Sequence, residues 1–140
     1  MEKLYSIFKF LYGSSLHNYL GGYEMSTEDF TGSEQFLLYF LIAASVGLVL
    51  SALYYLVIKS VRFGTAVHWT ILLLATAGLS WLICTTMVAS EIEQGHTPEN
   101  VHFANALMFG LANAIITTVV FFASSLVLRY FSKPLRYTPF

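Results

Sequence analysis

Five side chains of metal-ligating type fall close together near the middle of the chain: Glu91, Glu93, His96, Glu99 and His102. Imidazole and carboxylate are ligands for zinc and for harder divalent cations. Their spacing matches no compact signature, such as two histidines one helical turn apart with a glutamate between them. The stretch therefore reads as a solvated acidic loop, and no metal is expected. His68 and His102 fall at opposite ends of the apolar segments described below, and His17 and His96 lie outside those segments, so axial haem ligation within the chain is not expected. Cys84 is the single cysteine, which excludes a disulfide framework. It has no charged neighbour in sequence and reads as an inert thiol. No nucleophile elbow and no phosphate-binding glycine loop is present. Neither an enzyme nor a cofactor is expected.

The elements that would position such groups are set by composition. Of 140 residues 56% are hydrophobic and 11% charged, with a mean hydropathy of +0.66 and a formal charge of -1. This excludes a disordered chain and a collagen, and leaves no basic excess for nucleic acid. Three runs meet the length of about 20 apolar residues that a bilayer crossing requires: 36–58, 68–89 and 103–128. None contains Asp, Glu, Lys or Arg, so the ionisable groups on which proton relays and voltage sensors rely are missing from them. Thr97, Pro98 and Glu99 read as N-cap, first helical residue and dipole-favoured acid of the third run. Trp69, Tyr39, Tyr54, Tyr55 and Tyr130 sit near run ends as interfacial anchors, whereas Trp81 lies deeper and packs.

Charge divides almost completely between the two sides that three crossings create. The 59–67 connection and the tail 129–140 hold Lys59, Arg62, Arg129, Lys133 and Arg136 and no acid. The other side holds every acid, including Glu2, Glu24, Glu34 and the 91–99 glutamates, with only Lys3 and Lys9. Because cytoplasmic flanks are enriched in Lys and Arg, the amino terminus is expected outside and the carboxyl terminus inside, as in a bacterial inner membrane. The basic tail, broken by Pro134 and Pro139, suits anionic headgroups.

Residues 1–35 lack the short apolar core and cleavage site of a signal peptide, so their retention is expected. Leu4, Ile7, Phe8 and Leu11 recur at helical spacing, which predicts a short amphipathic helix lying in the interface, with docking onto a partner subunit as the alternative. Gly13 breaks it, and Ser14, Ser15, Gly21 and Gly22 after the break predict a turn or a second short helix before the acidic stretch Glu24 to Glu34. No internal repeat is visible. The fold class expected is all-α and polytopic: one extracytoplasmic segment over 1–35, a three-helix transmembrane domain over 36–128, and a cytoplasmic tail.

Within the three runs small residues recur every fourth position: Ala43, Gly47 and Ser51; Thr76, Ser80 and Cys84; Ala106, Gly110 and Ala114. Such rows let helix backbones approach closely in lipid. On the third helix His102, Ala106, Gly110, Asn113, Thr117 and Ser124 share one arc at 100° per residue, opposite Ala104, Met108, Leu111, Ile115, Phe122 and Leu126. The apolar arc is expected to face lipid and the polar arc protein or water. These residues are the helix-packing or pore-lining candidates. The chain reads as a non-catalytic membrane subunit that associates through its small-residue faces with itself or with other membrane proteins. The alternative is a homo-oligomeric pore lined by the third helix. Three crossings with the amino terminus outside and a basic cytoplasmic tail resemble the layout of one class of phage holins, which implies such a pore. In size and hydropathy the chain is also similar to small immunity proteins against pore-forming toxins, which implies a membrane-embedded binder.

Overall fold

A computed structural model gives the fold of residues 1–22, 34–57 and 66–128. The acidic residues Glu24, Glu28 and Asp29, the connection bearing Lys59 and Arg62, and the tail with Arg129, Tyr130, Lys133 and Arg136 lie outside the described residues. The described residues form helices and no strand.

Three helices are long and apolar enough to cross a membrane: α4 (Phe36–Ala52, continued by a π-helical turn over Leu53–Val57), α5 (Ala66–Glu93) and α6 (Phe103–Leu128). In an apolar solvent a helix is the one single-segment structure that pairs its own backbone groups, and these runs contain no proline to interrupt that pairing. Paired residues give the topology. Ala43 and Ser51 of α4 meet Thr117 and Ser124 of α6 in the same order, so these two helices run parallel. Ser80 and Thr85 of α5 meet Thr117 and Ala106 in reverse order, so α5 runs antiparallel to both.

α5 runs past the expected 68–89 segment to Glu93, because a charged side chain ends an apolar window without ending a helix. It stops at Gly95, whose φ of 71° belongs to the left-handed region and whose N–H donates to the Ile92 carbonyl at 3.1 Å. α6 begins at Phe103, later than the Thr97–Pro98–Glu99 start expected from sequence. Those three residues instead enter a turn closed by the Val101 N–H on the Pro98 carbonyl at 2.9 Å. The side chain that caps α6 is Asn105, whose Oδ1 accepts the His102 N–H at 3.0 Å.

The amino-terminal segment departs most from expectation. It is three short helices, α1 (Glu2–Ser6), α2 (Lys9–Tyr12) and α3 (Ser14–Leu20): the single helix expected before Gly13 is two, and a second short helix follows the break. Gly13, with φ of 88°, makes the break between α2 and α3. Gln35 N–H donates to the Leu20 carbonyl at 2.9 Å, which ties the end of α3 to the start of α4. Tyr5, Tyr12, Leu16 and Leu20 are fully buried in a core shared with Phe36, Tyr39, Ala106 and Phe109. Of the expected apolar stripe, Ile7 is 63% exposed, while Leu4, Phe8 and Leu11 are only partly covered. We call residues 1–22 the strap.

The aromatic residues at run ends are also more enclosed than anchors in a belt. Tyr39 packs edge-on against Phe109, with ring centres 5.0 Å apart. Tyr54, Tyr55 and Trp69 are buried with Phe121 at the other end of the bundle. Trp81 is partly exposed and donates its indole N–H to the Leu107 carbonyl at 3.0 Å.

Candidate functional site

Of the residues singled out in sequence, Ala43, Gly47, Ser51, Thr76, Ser80, Ala106, Gly110, Asn113 and Thr117 are buried and Ser124 is half-buried. The small-residue rows face one another inside one chain. A Cβ on Gly47 would lie 3.1 Å from the Thr117 carbonyl and 3.3 Å from the Phe121 nitrogen. A Cβ on Gly110 would run into Thr85 Oγ1 and the Trp81 carbonyl, so α5 and α6 approach at a distance only glycine permits.

The polar arc of α6 is paired from the same chain. Thr117 donates its hydroxyl to Ser80 Oγ at 2.7 Å or to the Ala43 carbonyl at 3.1 Å, which places it at the junction of all three helices. Ser124 lies 2.7 Å from Ser51 Oγ. The opposite arc, Ala104, Met108, Leu111, Ile115, Phe122 and Leu126, is exposed.

Asn113 is fully buried, and its main partner comes from outside the three long helices. Tyr5 donates its hydroxyl to Asn113 Oδ1 at 2.6 Å, while Asn113 Nδ2 donates to the Phe109 carbonyl at 3.0 Å. The Tyr5 ring stacks on Phe36 and Phe109, with centres at 5.0 and 5.6 Å, and so fills the space between α4 and α6. Two turns toward the start of α6, Asn105 Nδ2 donates to the Tyr12 carbonyl at 2.6 Å, next to the break at Gly13. Two asparagines eight positions apart on α6 therefore hold the strap at two points, α1 through Tyr5 and the end of α2 through Tyr12. Neither Asn105 nor the two tyrosines stood out in sequence. Their signal was present in the seven-residue interval from Tyr5 to Tyr12 and the eight-residue interval on α6.

A second polar group lies behind them. Tyr12 Oη is 3.0 Å from the Tyr5 carbonyl and 2.9 Å from His17 Nδ1. One hydroxyl proton cannot serve both. With Tyr12 donating to the carbonyl, His17 is the tautomer that carries its proton on Nδ1 and donates to Tyr12. His17 is buried against Phe36, and its Nε2 is 3.9 Å from Glu2. Burial, reinforced by Lys9 and opposed by Glu2, lowers its pKa below the ordinary histidine value. Burial likewise pushes the Tyr5 and Tyr12 hydroxyls well above the tyrosine range, so both remain neutral donors. Tyr19 donates to Glu91 Oε2 at 3.0 Å, and burial together with that bond raises it to about 12.

The outer His/Glu residues do not converge. His96 Nδ1 lies 3.5 Å from Glu91, while Glu93, Glu99 and His102 point into solvent, and among the described residues no three ligand-type side chains gather around one point. Cys84 is buried in the core. Among the described residues, the polar groups of Tyr5, Tyr12, His17, Asn105 and Asn113 are paired with one another or with backbone carbonyls, and they position the strap on the bundle. Comparison with protein-family models, with curated proteins and with solved structures finds no match.

Proposed function

We propose that this chain is a non-catalytic integral membrane protein that serves as a subunit of a larger membrane assembly, in a bacterial inner membrane with the strap outside and the carboxyl terminus in the cytoplasm. The observation that carries this reading is the strap's outer surface. Tyr5, Tyr12 and Tyr19 fix the segment to the bundle, yet Phe10 is 80% and Ile7 63% exposed. An aromatic side chain held outward on an immobilised backbone is the kind of anchor on which interfaces concentrate their energy. The small-residue rows, being occupied within the chain, build the bundle and leave the strap and the outer apolar belt for partners.

What favours this reading over a pore is the pairing of the polar arc. Lining a channel with Asn113, Thr117 and Ser124 would require giving up their bonds to Tyr5, Ser80 and Ser51, while the face of α6 turned to neighbours is apolar. The test is the mass and composition of the complex extracted in a mild polymer or nanodisc through a carboxyl-terminal tag, with wild type and Phe10→Ser side by side. A stoichiometric set of other proteins, lost from Phe10→Ser, is the expected result. A homo-oligomer that conducts in bilayer recordings would overturn the reading in favour of the pore. A lone monomer would overturn it in favour of the immunity-type binder.

A further inference from the structure

The long helices do not start at one level. α4 and its π-helical turn have 22 residues, about 33 Å of helix, to cross a hydrocarbon layer of about 30 Å, and Glu34 and Lys59 bracket them in sequence. Nearly all of that length is needed, so Phe36 marks the edge of the hydrocarbon on the strap's side to within one helical turn. Pairing along the parallel helices carries this level to α6. Ala43, seven residues past Phe36, meets Thr117, so Val119 and Val120 lie more than about 10 Å past the Phe36 level. Asn105, twelve residues before Thr117, lies about 8 Å on the other side of it.

The strap spans that step. Leu4 and Phe8 line a wholly apolar groove with Phe40, Val119 and Val120, and Val119 at its mouth is 62% exposed. Four residues after Phe8, the Tyr12 carbonyl is back at Asn105. Backbone this close to hydrocarbon must find its hydrogen bonds inside the protein, and the break between α1 and α2 does so. Phe8 N–H donates to the Tyr5 carbonyl at 2.9 Å, Leu11 N–H donates to the Phe8 carbonyl at 2.8 Å, and the Tyr12 hydroxyl reaches the Tyr5 carbonyl as well. Glu34, whose carboxylate accepts the Glu2 N–H at 3.2 Å, keeps its charge at the edge.

We infer that the strap is sunk into the near leaflet of the bilayer, with the Leu4 and Phe8 side chains among lipid tails that fill the groove, and Gly13 and Ser14 in the headgroup layer; the inference rests on the membrane reading above. A tail gains no hydrophobic free energy by entering, since lipid is as apolar as the lining. It gains contact, because walls facing a void lose the dispersion partners that a tail supplies. Depth, not headgroup chemistry, selects the occupant. Phe10 lies between the two levels, where a partner subunit in the same membrane reaches it.

The experiment uses the full chain in phosphatidylcholine vesicles doped with one of two probes, the same lipid carrying a photoreactive group midway along a tail or on the headgroup. Adducts are mapped by mass spectrometry. The tail probe is expected to label Leu4 and Phe8 as strongly as Val119, and several-fold more strongly than it labels Ser14; the headgroup probe is expected to reverse that order. Labelling of Leu4 and Phe8 by the headgroup probe alone would overturn the inference by setting the strap above the hydrocarbon. Cross-links from either residue to a protein, with no tail adduct, would overturn it in favour of a protein occupant. A chain that fails to float with the vesicles defeats the membrane reading and the inference with it, an outcome distinguishable from the other two.

Discussion

Along the α5–α6 contact, and between α4 and α6 on the side of Asn113 toward the end of α6, the three long helices touch directly through Gly110 and through Gly47, Ser80 and Thr117, with backbones close enough that a methyl group has no room at Gly110. Toward the start of α6, the gap between α4 and α6 is filled by the Tyr5 ring, supported by Phe36 and Phe109. One region obtains its packing by having almost no side chain, the other by borrowing a large side chain from a separate segment. The difference is one of dependence. The close-packed region needs only the three helices, whereas the aromatic region is complete only when the strap is in place.

This contrast can be broken at its stronger side first. Gly110→Val drives two methyl groups into Thr85 and the Trp81 carbonyl and is expected to destabilise the whole bundle by about 3 kcal/mol, read as a lower midpoint of thermal or detergent unfolding. Tyr5→Ala removes a comparable amount of packing, about 3 kcal/mol, but only from the strap. Hydrogen exchange and proteolysis over residues 1–22 should rise steeply while α4, α5 and α6 keep their protection. Equal loss of protection in all three long helices would show that the two regions are one cooperative unit. Asn105→Ala is a smaller perturbation, about 1 kcal/mol, because it removes the α6 cap and the Tyr12 carbonyl bond together. A double-mutant cycle between Tyr5→Phe and Asn113→Leu should give a coupling of about 1 kcal/mol, and a coupling near zero would mean that the ring alone holds the strap.

The smallest effect expected is that of pH. His17 has a lowered pKa in the docked strap, so the neutral form is favoured there and docking binds fewer protons than release. The contribution is complete above the free value of 6.5 and is lost as pH falls through the lowered value. Tyr12, Glu2 and Lys9 are the titratable groups facing the ring. Strap proteolysis at constant ionic strength should therefore accelerate on acidification below about 6.5. A His17→Gln variant should show a flatter profile.

The close-packed region was the more legible one in sequence. Span length, absence of charge, the four-residue rows and the apolar arc from Ala104 to Leu126 are all periodic properties of single helices, and such properties survive in a one-dimensional reading. The aromatic region was not legible for a matching reason. The Leu4–Ile7–Phe8–Leu11 stripe is a sound helical period, but two short helices with a turn at Ile7 and Phe8 do not present it as one face. Tertiary contacts instead bury Tyr5 and Tyr12, whose hydroxyls find their partners in Asn113 of α6, the Tyr5 carbonyl of α1 and His17 of α3. Trp69, Tyr39, Tyr54 and Tyr55 show the same limit, since position near a run end does not distinguish a ring facing headgroups from one closing the end of a bundle. The Thr97–Pro98–Glu99 start displaced attention from Asn105, which performs the capping from the third residue of the helix itself, six positions after Glu99.

The bond from Tyr5 to Asn113 joins residues 108 positions apart. During synthesis at roughly 5–20 residues per second, the strap emerges on the order of ten seconds before its partner exists. Until then Tyr5 and Tyr12 have neither Asn113 nor Phe109 to rest on, and a segment made well before α6 waits for it to find its place. A docked strap is thus a certificate that the third long helix has been made and seated, legible to any protease that reaches residues 1–22.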